Sequence, residues 1–496
     1  MRLNKRTCTG CGYCVLICPY DALKTDGWAE VIPENCTDCN LCVYACPNDC
    51  FIPDTPLKPY RPRPANDYEV SIIGSGIGGL MAGVALAQAG YRVAVFEKLS
   101  FPGGRYTEIS YKDAVVTTGA WTNLGPKSHI GRFLAEVGID LEYVSLNDVG
   151  LAEQYTIQFP DGRRYDSLFD MLASPARKAW LKAILTGKRQ LEQATSTSLD
   201  MISAADYIAE FSDDDDLRAA VDAIAATASG LSSQVMPAGE YIQITLDGRT
   251  AGQDFAMPVG GVRSIIKALV TALRQAGGAL FVRSPVAEIC VEDNQATGIR
   301  LADGRQIHSR FVLHNGGPRA FIQLVGSQNL PVDYVRRLVQ LKGVECAALF
   351  GATREPLFTQ APITMTPQCQ RVVGVFSPTL LDPTLSKAGL HLFDAFFPTY
   401  SDDRSAELDL ALADMRALFP HFEATLEWSV PMFFTGMWPG TESGQTFGQT
   451  GQNRLDPVTP VENCFLVGMD VKGSGVAGDL IPVGVRQLLQ HFAPKQ

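Results

Sequence analysis

The chain has 496 residues, of which 46% are apolar, and a formal net charge of −11. That length exceeds what one hydrophobic core fills, so two or three domains are expected, and an acidic balance with no basic cluster argues against a nucleic-acid partner. No apolar run approaches the length of a spanning helix, and residues 1–6 lead straight into cysteines. A cytoplasmic protein with at most peripheral membrane contact is therefore expected, its thirteen cysteines serving as metal ligands or ordinary thiols.

Nine of those cysteines fall within residues 1–50. Cys8, Cys11, Cys14 and Cys18 form C-x2-C-x2-C-x3-C with Pro19 next, and Cys36, Cys39, Cys42 and Cys46 repeat the spacing 28 residues on, with Pro47 next. This is an internal duplication. Three thiolates on one tight loop ligate three irons of a cubane, while the fourth, beside its proline, reaches across to the other cluster. By that rule Cys8, Cys11, Cys14 and Cys46 hold one 4Fe-4S cluster, and Cys36, Cys39, Cys42 and Cys18 hold a second. Paired zinc sites are the rival reading, but zinc takes its ligands in two pairs and has no use for the Cys-Pro spacing. Residues 1–57 resemble the bacterial two-cluster ferredoxins. Cys50 is left over as a packed or free thiol. Pro53, Pro56, Pro59, Pro62 and Pro64 then mark an extended, semi-rigid segment, so a linker is expected over 58–68.

From Glu69 the chain reads as a buried strand, the glycine turn Gly74-Ser75-Gly76-Ile77-Gly78-Gly79, an Ala-rich helix to Gly90, and a second strand closing on Glu97. That order is what a dinucleotide-binding unit needs. Gly74 allows the tight turn, Gly76 a close approach to a pyrophosphate and Gly79 close helix–strand packing, with Glu97 placed to accept the ribose hydroxyl. Gly103-Gly104-Arg105 follows, offering bare backbone and a guanidinium fork to a second approach on the pyrophosphate, which points to FAD.

The glycine turn, the acid and Gly103-Gly104-Arg105 together resemble the flavin amine oxidase and phytoene desaturase superfamily. The resemblance implies cofactor contacts at Gly74, Gly76, Gly79, Glu97, Lys98, Gly104 and Arg105, and places Gly119, Ala120 and Trp121 along the flavin ring; Trp121 reads equally as a core aromatic. The Pro258-to-Gly261 opening and the strand from Val286 resemble the second FAD-binding half, where Val286 would meet the adenine. Gly468 and Asp470, with the helix start near Val476 and Ala477, resemble the C-terminal flavin motif; Met469 departs from it, standing where a small residue is usual. The expected fold class is α/β: a ferredoxin-like module, then a Rossmann-like FAD domain in three parts (69–146, 254–320 and 440–496) interleaved with an α+β substrate domain (147–253 and 321–439). Helical spacing is expected over Ser167 to Leu185 and Ala204 to Thr227, with the acidic run Asp213 to Asp216 as a solvated helix start. Alternating strands are expected over 321–434, with one helix near Ala406 to Leu418. The aromatics there, among them Phe393, Phe396, Phe397, Phe433 and Trp438, read first as sheet core.

Flavin exchanges hydrides and single electrons, whereas iron–sulfur clusters carry only single electrons. The combination therefore implies an electron line between a ferredoxin- or flavodoxin-type carrier and an apolar small-molecule substrate, with no separate nicotinamide domain. Inward flow to reduce a carbon–carbon double bond of an isoprenoid- or polyene-like substrate is the preferred expectation. Outward flow from a desaturase, dehydrogenase or amine oxidase, an isomerase using reduced flavin, and an electron-transfer subunit without its own substrate are the alternatives. His391, Tyr241 and Lys472 are conceivable general acids, and none is assigned.

Overall fold

The computed structural model describes residues 1–54, 57, 64–119, 125–192, 199–252, 255–435, 444–473 and 477–493. At the N-terminus, the short helices Tyr13–Ile17 and Leu41–Ala45 each follow a cysteine loop and end at the cysteine preceding proline. Each starts from a residue in the left-handed region, Gly12 at φ 74° and Asn40 at φ 63°, equivalent places in the repeat. Antiparallel pairs Leu23–Thr25 with Ala29–Val31 and Arg2–Leu3 with Phe51–Ile52 complete the unit. So small a unit cannot bury an adequate core alone. Its Tyr13, Val15 and Leu16 share one apolar cluster with Ile109, Val116, Phe350, Val430 and Met432 from the rest of the chain.

The second layer is a mostly parallel sheet in the order Ala279–Phe281, Val93–Phe96, Asp67–Ile73, Gln306–His314, Gln295–Leu301, Val286–Glu292, with Cys464–Leu466 paired beside Gln306–His314. Its central strands are buried on both faces, as parallel strands covered by helices must be. Helix Ile77–Gln88 is apolar and buried nearly all round, packed against the sheet and the helices Arg263–Gln275 and Ile481–Leu489. The expected hairpin turns at Asp303-Gly304, with Gly304 at φ 89°.

The third layer is a sheet in the order Arg164–Tyr165, Tyr155–Gln158, Ile363–Met365, Gly374–Phe376, His391–Pro398, Cys346–Thr353, Leu426–Phe434. One face carries Phe393, Ala395, Phe397 and Phe433 against helix Arg404–Leu418, the sheet core expected of those aromatics. Beside the sheet, helices Ser174–Glu192, Ala204–Ala209, Asp215–Ser229 and Ala238–Gly252 build a core around Trp180, Tyr207 and Tyr241. The acidic run does start a helix: the Asp214 carboxylate accepts from Leu217 N at 2.9 Å. One expectation is corrected. The stretch expected to open with strands begins with two helices, Pro318–Val325 and Val332–Gln340. Phe321 and Val325, four residues apart and so on one helical face, pack with Leu338 onto the first sheet's Ile289, Ile299 and Val312.

Candidate functional site: a dinucleotide cradle beside two thiol sets

The glycine turn leaves strand Asp67–Ile73 at Gly74, which at φ 94° donates its N–H to Phe96 O at 2.8 Å. A Cβ on Gly79 would stand 2.3 Å from Gly74 O, so only glycine lets the helix begin this close to the strand. The Glu97 carboxylate, 7% exposed, closes the turn by accepting from Ser75 N at 2.9 Å, Ser75 Oγ at 2.8 Å and Leu99 N at 2.9 Å. A carboxylate has about four acceptor positions, so one remains for a ribose hydroxyl. Gly103 bridges to Gly76, and a Cβ on Gly104 would stand 3.3 Å from Gly76 Cα, so the second loop lies directly over the first. Gly119 presses on this loop in turn: a Cβ there would stand 2.6 Å from Arg105 O.

The other FAD-binding halves return to the same place. Ser284 N donates to Glu97 O at 2.7 Å and Arg283 N to Leu99 O at 2.8 Å, bringing the start of strand Val286–Glu292 to the Glu97 edge. Gly468, at φ 118°, meets the first turn of helix Ile77–Gln88, 3.0 Å separating its Cα from where a Gly78 Cβ would be. Met469 is buried, its carbonyl accepting from the Arg454 guanidinium, and Asp470 is half-buried beside it. Asp479 accepts from His129 N at 2.9 Å and Ile130 N at 2.8 Å, tying the C-terminal motif to the start of helix His129–Glu136. Ala120, Trp121, Trp438, Val476 and the Ala477 side chain lie outside the described residues, as does most of the proline segment. Lys98, expected at the cofactor, donates from Nζ to Pro47 O in the second Cys-Pro turn.

Two residues that the sequence did not single out hold this cradle together. Asn315 accepts from Gly76 N at 3.2 Å and donates to Val467 O at 3.1 Å, joining the first and last flavin motifs. Glu108 accepts from Val262 N at 3.1 Å and Arg263 N at 3.0 Å at the start of helix Arg263–Gln275, and burial raises its pKa. The Asn315-Gly316-Gly317-Pro318 run after a buried strand was the only available signal for the first.

The eight cysteines sort into two sets. Burial pushes the Cys11 thiol up to about 12, and the charges of Cys46 and Cys8 push the same way; Cys14 is raised by burial and then by Cys11, Cys8 and Cys46. Cys42 rises to about 12 from burial, with Cys39, Cys18 and Cys36 as its charged neighbours. Thiols buried and crowded as Cys11, Cys14 and Cys42 are ionise only when a cation takes up their charge, whereas the Cys50 side chain draws Cys8 down to about 6 and Cys46 down to about 7. Backbone N–H groups already point at the sulfurs: Ala29 N to Cys8 Sγ at 3.5 Å, Cys50 N to Cys46 Sγ at 3.3 Å and Ala22 N to Cys18 Sγ at 3.4 Å. Cys18, Cys36, Cys39 and Cys42 line one shallow surface concavity together with Ala22, Leu23 and Val31. Among the described residues no three His, Cys, Asp or Glu side chains close tightly enough to hold a single metal ion. Thiols four at a time are the donor chemistry an iron–sulfur cluster takes. Cys50 is a packed thiol, 2% exposed, with Sγ 3.8 Å from Asn48 O.

The sets differ in exposure. Cys8, Cys11, Cys14 and Cys46 are buried, whereas Cys39 is exposed and Cys18, Cys36 and Cys42 are half-buried. The buried set faces the cradle through Tyr13, fully buried, whose hydroxyl donates to Gly104 O at 3.2 Å and accepts from Thr118 Oγ1 at 3.0 Å. Of the conceivable acids, Tyr241 lies in the helical core bonded to Trp180 Nε1 at 3.1 Å, Lys472 pairs with Asp456 at 2.9 Å, and His391 begins a strand at the sheet's end.

Comparison with known proteins agrees with this geometry. Residues 77–479 match the family of flavin containing amine oxidoreductases, and residues 1–47 match the 4Fe-4S dicluster domain. The chain is 24% identical over 384 residues to prolycopene isomerase 2 of an Oncidium hybrid cultivar, covering 67% of this chain and 64% of that one. It is 28% identical over 283 residues to the neurosporene-forming phytoene desaturase of Rhodobacter capsulatus, covering 49% of this chain and 51% of that one. It thus spans between half and two thirds of these two relatives. An oxidoreductase from Methanosarcina mazei superposes with a TM-score of 0.75 at 25% identity, over 85% of this chain and 100% of that one.

Proposed function

Given that the chain belongs to the flavin containing amine oxidoreductase family and carries a 4Fe-4S dicluster domain, and so is an FAD-dependent oxidoreductase, we propose that it takes electrons from a carrier protein through two 4Fe-4S clusters to reduce a carbon–carbon double bond. The substrate is apolar, of isoprenoid or polyene type, and the carrier is a ferredoxin or flavodoxin. FAD, when bound, exchanges single electrons with the clusters and a hydride with the substrate. Glu97, Ser75 and the two glycine loops hold the dinucleotide. Cys8, Cys11, Cys14 and Cys46 hold the inner cluster; Cys18, Cys36, Cys39 and Cys42 hold the outer one.

The observation that supports this reading is the exposure gradient. The outer thiol set opens to the surface, where a carrier docks, and the inner set is buried one tyrosine away from the Gly103-Gly104-Arg105 loop. The test is an anaerobic redox titration that follows flavin absorbance and cluster electron paramagnetic resonance together. Clusters below the flavin in potential support inward flow. A flavin at or below the clusters overturns it in favour of a desaturase that discharges outward, the second reading, which the likeness to a phytoene desaturase favours.

A further inference from the structure

The N-terminal module meets the dinucleotide loops as well as the third-layer sheet. Tyr13 stands between Cys11 and Cys14, two of the buried thiols, and opens helix Tyr13–Ile17. Its side chain is fully buried, with the ring centroid 5.9 Å from that of Phe101 and the hydroxyl shared between Gly104 O at 3.2 Å and Thr118 Oγ1 at 3.0 Å. Further contacts fall on the same run of chain. Ser100 N donates to Tyr44 O at 3.2 Å, and Lys98 Nζ to Pro47 O in the turn after Cys46. Residues 98–104 join Glu97, which closes the first loop, to Arg105 in the second, so the module braces the chain that links them.

What Tyr13 holds is the shape of the second loop. Gly103 and Gly104 lie at φ 120° and 58°, and glycines lose more backbone freedom on being fixed than any other residue. Gly76 bridges to this pair, while the Tyr13 hydroxyl takes the Gly104 carbonyl. A trans peptide points its carbonyl and its N–H in opposite directions, so that bond turns the Arg105 N–H away from the module. Thr118, the other partner, also donates to Thr107 O at 2.7 Å and precedes Gly119, the residue pressed on Arg105 O. One hydroxyl of the module thus reaches both segments expected along the cofactor. The module in its turn depends on its ligands: a unit too small for a core of its own takes its folded geometry from the metal its thiols wrap, and Tyr13 sits within that wrapping loop.

We propose that Tyr13 is a positioning residue of the FAD site, supplied by the N-terminal module, and that it makes FAD affinity depend on a loaded inner cluster. This rests on the reading of Cys8, Cys11, Cys14 and Cys46 as that cluster's ligands, and not on the direction of electron flow. With the cluster in place the Cys11–Cys14 loop is fixed, and the tyrosine holds Gly104 and Thr118 ready before FAD arrives. Without it the brace is lost, and FAD binding must also order the second loop, which lowers affinity. A chain that cannot receive electrons through its clusters is thereby a chain that holds FAD poorly.

The test measures FAD binding by equilibrium dialysis to the flavin-depleted full chain, either carrying its iron or stripped by chelator and kept reduced. Tyr13→Phe keeps the ring and loses the hydroxyl; Lys98→Met removes the contact to the Pro47 turn from outside the module. Stripping the wild type should weaken FAD binding by about 5-fold or more. With iron in place Tyr13→Phe should bind FAD about 3–10-fold more weakly than wild type, the worth of one hydrogen bond. Once stripped, the two should bind alike, because the contact is already gone. Equal affinity in the loaded and stripped wild type overturns the coupling, and so does a Tyr13→Phe loss of the same size in both states, which would make the tyrosine a fixed part of the fold. Should Tyr13→Phe fail to take up iron, Lys98→Met decides: a loss confined to the loaded chain keeps the module in the FAD site, and any other pattern removes it. A wild type that holds no iron overturns the ligand reading and this proposal with it, whereas outward electron flow leaves the proposal standing.

Discussion

Arg404 clamps the N-terminal module onto the rest of the chain, and its removal should let the module swing free. From the start of helix Arg404–Leu418 its guanidinium donates to Cys8 O at 3.2 Å, Gly27 O at 3.1 Å and Thr435 Oγ1 at 3.1 Å, and lies 4.1 Å from the Trp28 ring centroid. Two of those bonds cross between the module and the third-layer sheet. A hydrogen bond from a charged donor contributes about 1.5–3 kcal/mol, and the low end applies to a half-buried group. With a cation–π contribution of about 0.5–1 kcal/mol, Arg404→Ala should cost roughly 3–4 kcal/mol of docking. At 1.4 kcal/mol per decade that is a rise of about 10²–10³-fold in the undocked population. Remaining contacts, such as Phe433 N to Gly10 O at 3.0 Å and Arg283 3.7 Å from the Tyr44 ring centroid, keep the docked form the major one. The assay is limited proteolysis within the proline segment 58–68, where cleavage tracks the open population when opening is fast, alongside the rate of flavin reduction by prereduced clusters. Cleavage should quicken by about two orders of magnitude and flavin reduction should slow; Arg404→Lys should fall between. A folded Arg404→Ala protein that is cleaved and reduced at wild-type rates would refute the clamp.

Three further outcomes follow from single sites. Glu97→Gln turns one carboxylate oxygen into a donor facing Ser75 N or Leu99 N, and should destabilise the flavin-free protein by about 2–3 kcal/mol, seen as a lower thermal midpoint, as well as weaken FAD binding; an unchanged flavin-free midpoint would leave the carboxylate no structural role. Asp394 lies on strand His391–Pro398, 4% exposed and with no hydrogen-bond partner on either carboxyl oxygen, so Asp394→Leu should stabilise the fold by about 1–3 kcal/mol in urea titration, and a marked loss of stability would mean the acid has a partner. His314 is fully buried, with Nε2 3.0 Å from Gly317 O and no partner on Nδ1, and desolvation lowers its pKa to about 4. Because the unfolded chain binds this proton first, the contribution is complete above about pH 6.5 and is lost as pH falls towards 4, about 3 kcal/mol in all; His314→Gln should flatten that difference in urea midpoints between the two pH values.

What the sequence made legible was whatever only one residue type can do. Gly79 can be nothing larger 2.3 Å from a carbonyl, and an iron–sulfur ligand at each loop position must be cysteine, so both constraints are written as spacing. Helices Pro318–Val325 and Val332–Gln340 were missed because Phe321-Ile322-Gln323-Leu324-Val325 reads as a strand on composition, although Gly317-Pro318 carries a helix-start signal, proline at the first position. Asn315 and Asp394 were missed for another reason. Their partners, or their lack of them, come from segments distant in sequence: Gly76 and Val467 for the first, the aromatics of two neighbouring strands for the second. Arg404 follows Ser401-Asp402-Asp403, a run that reads as solvated, and nothing local marks it as the residue that holds Cys8.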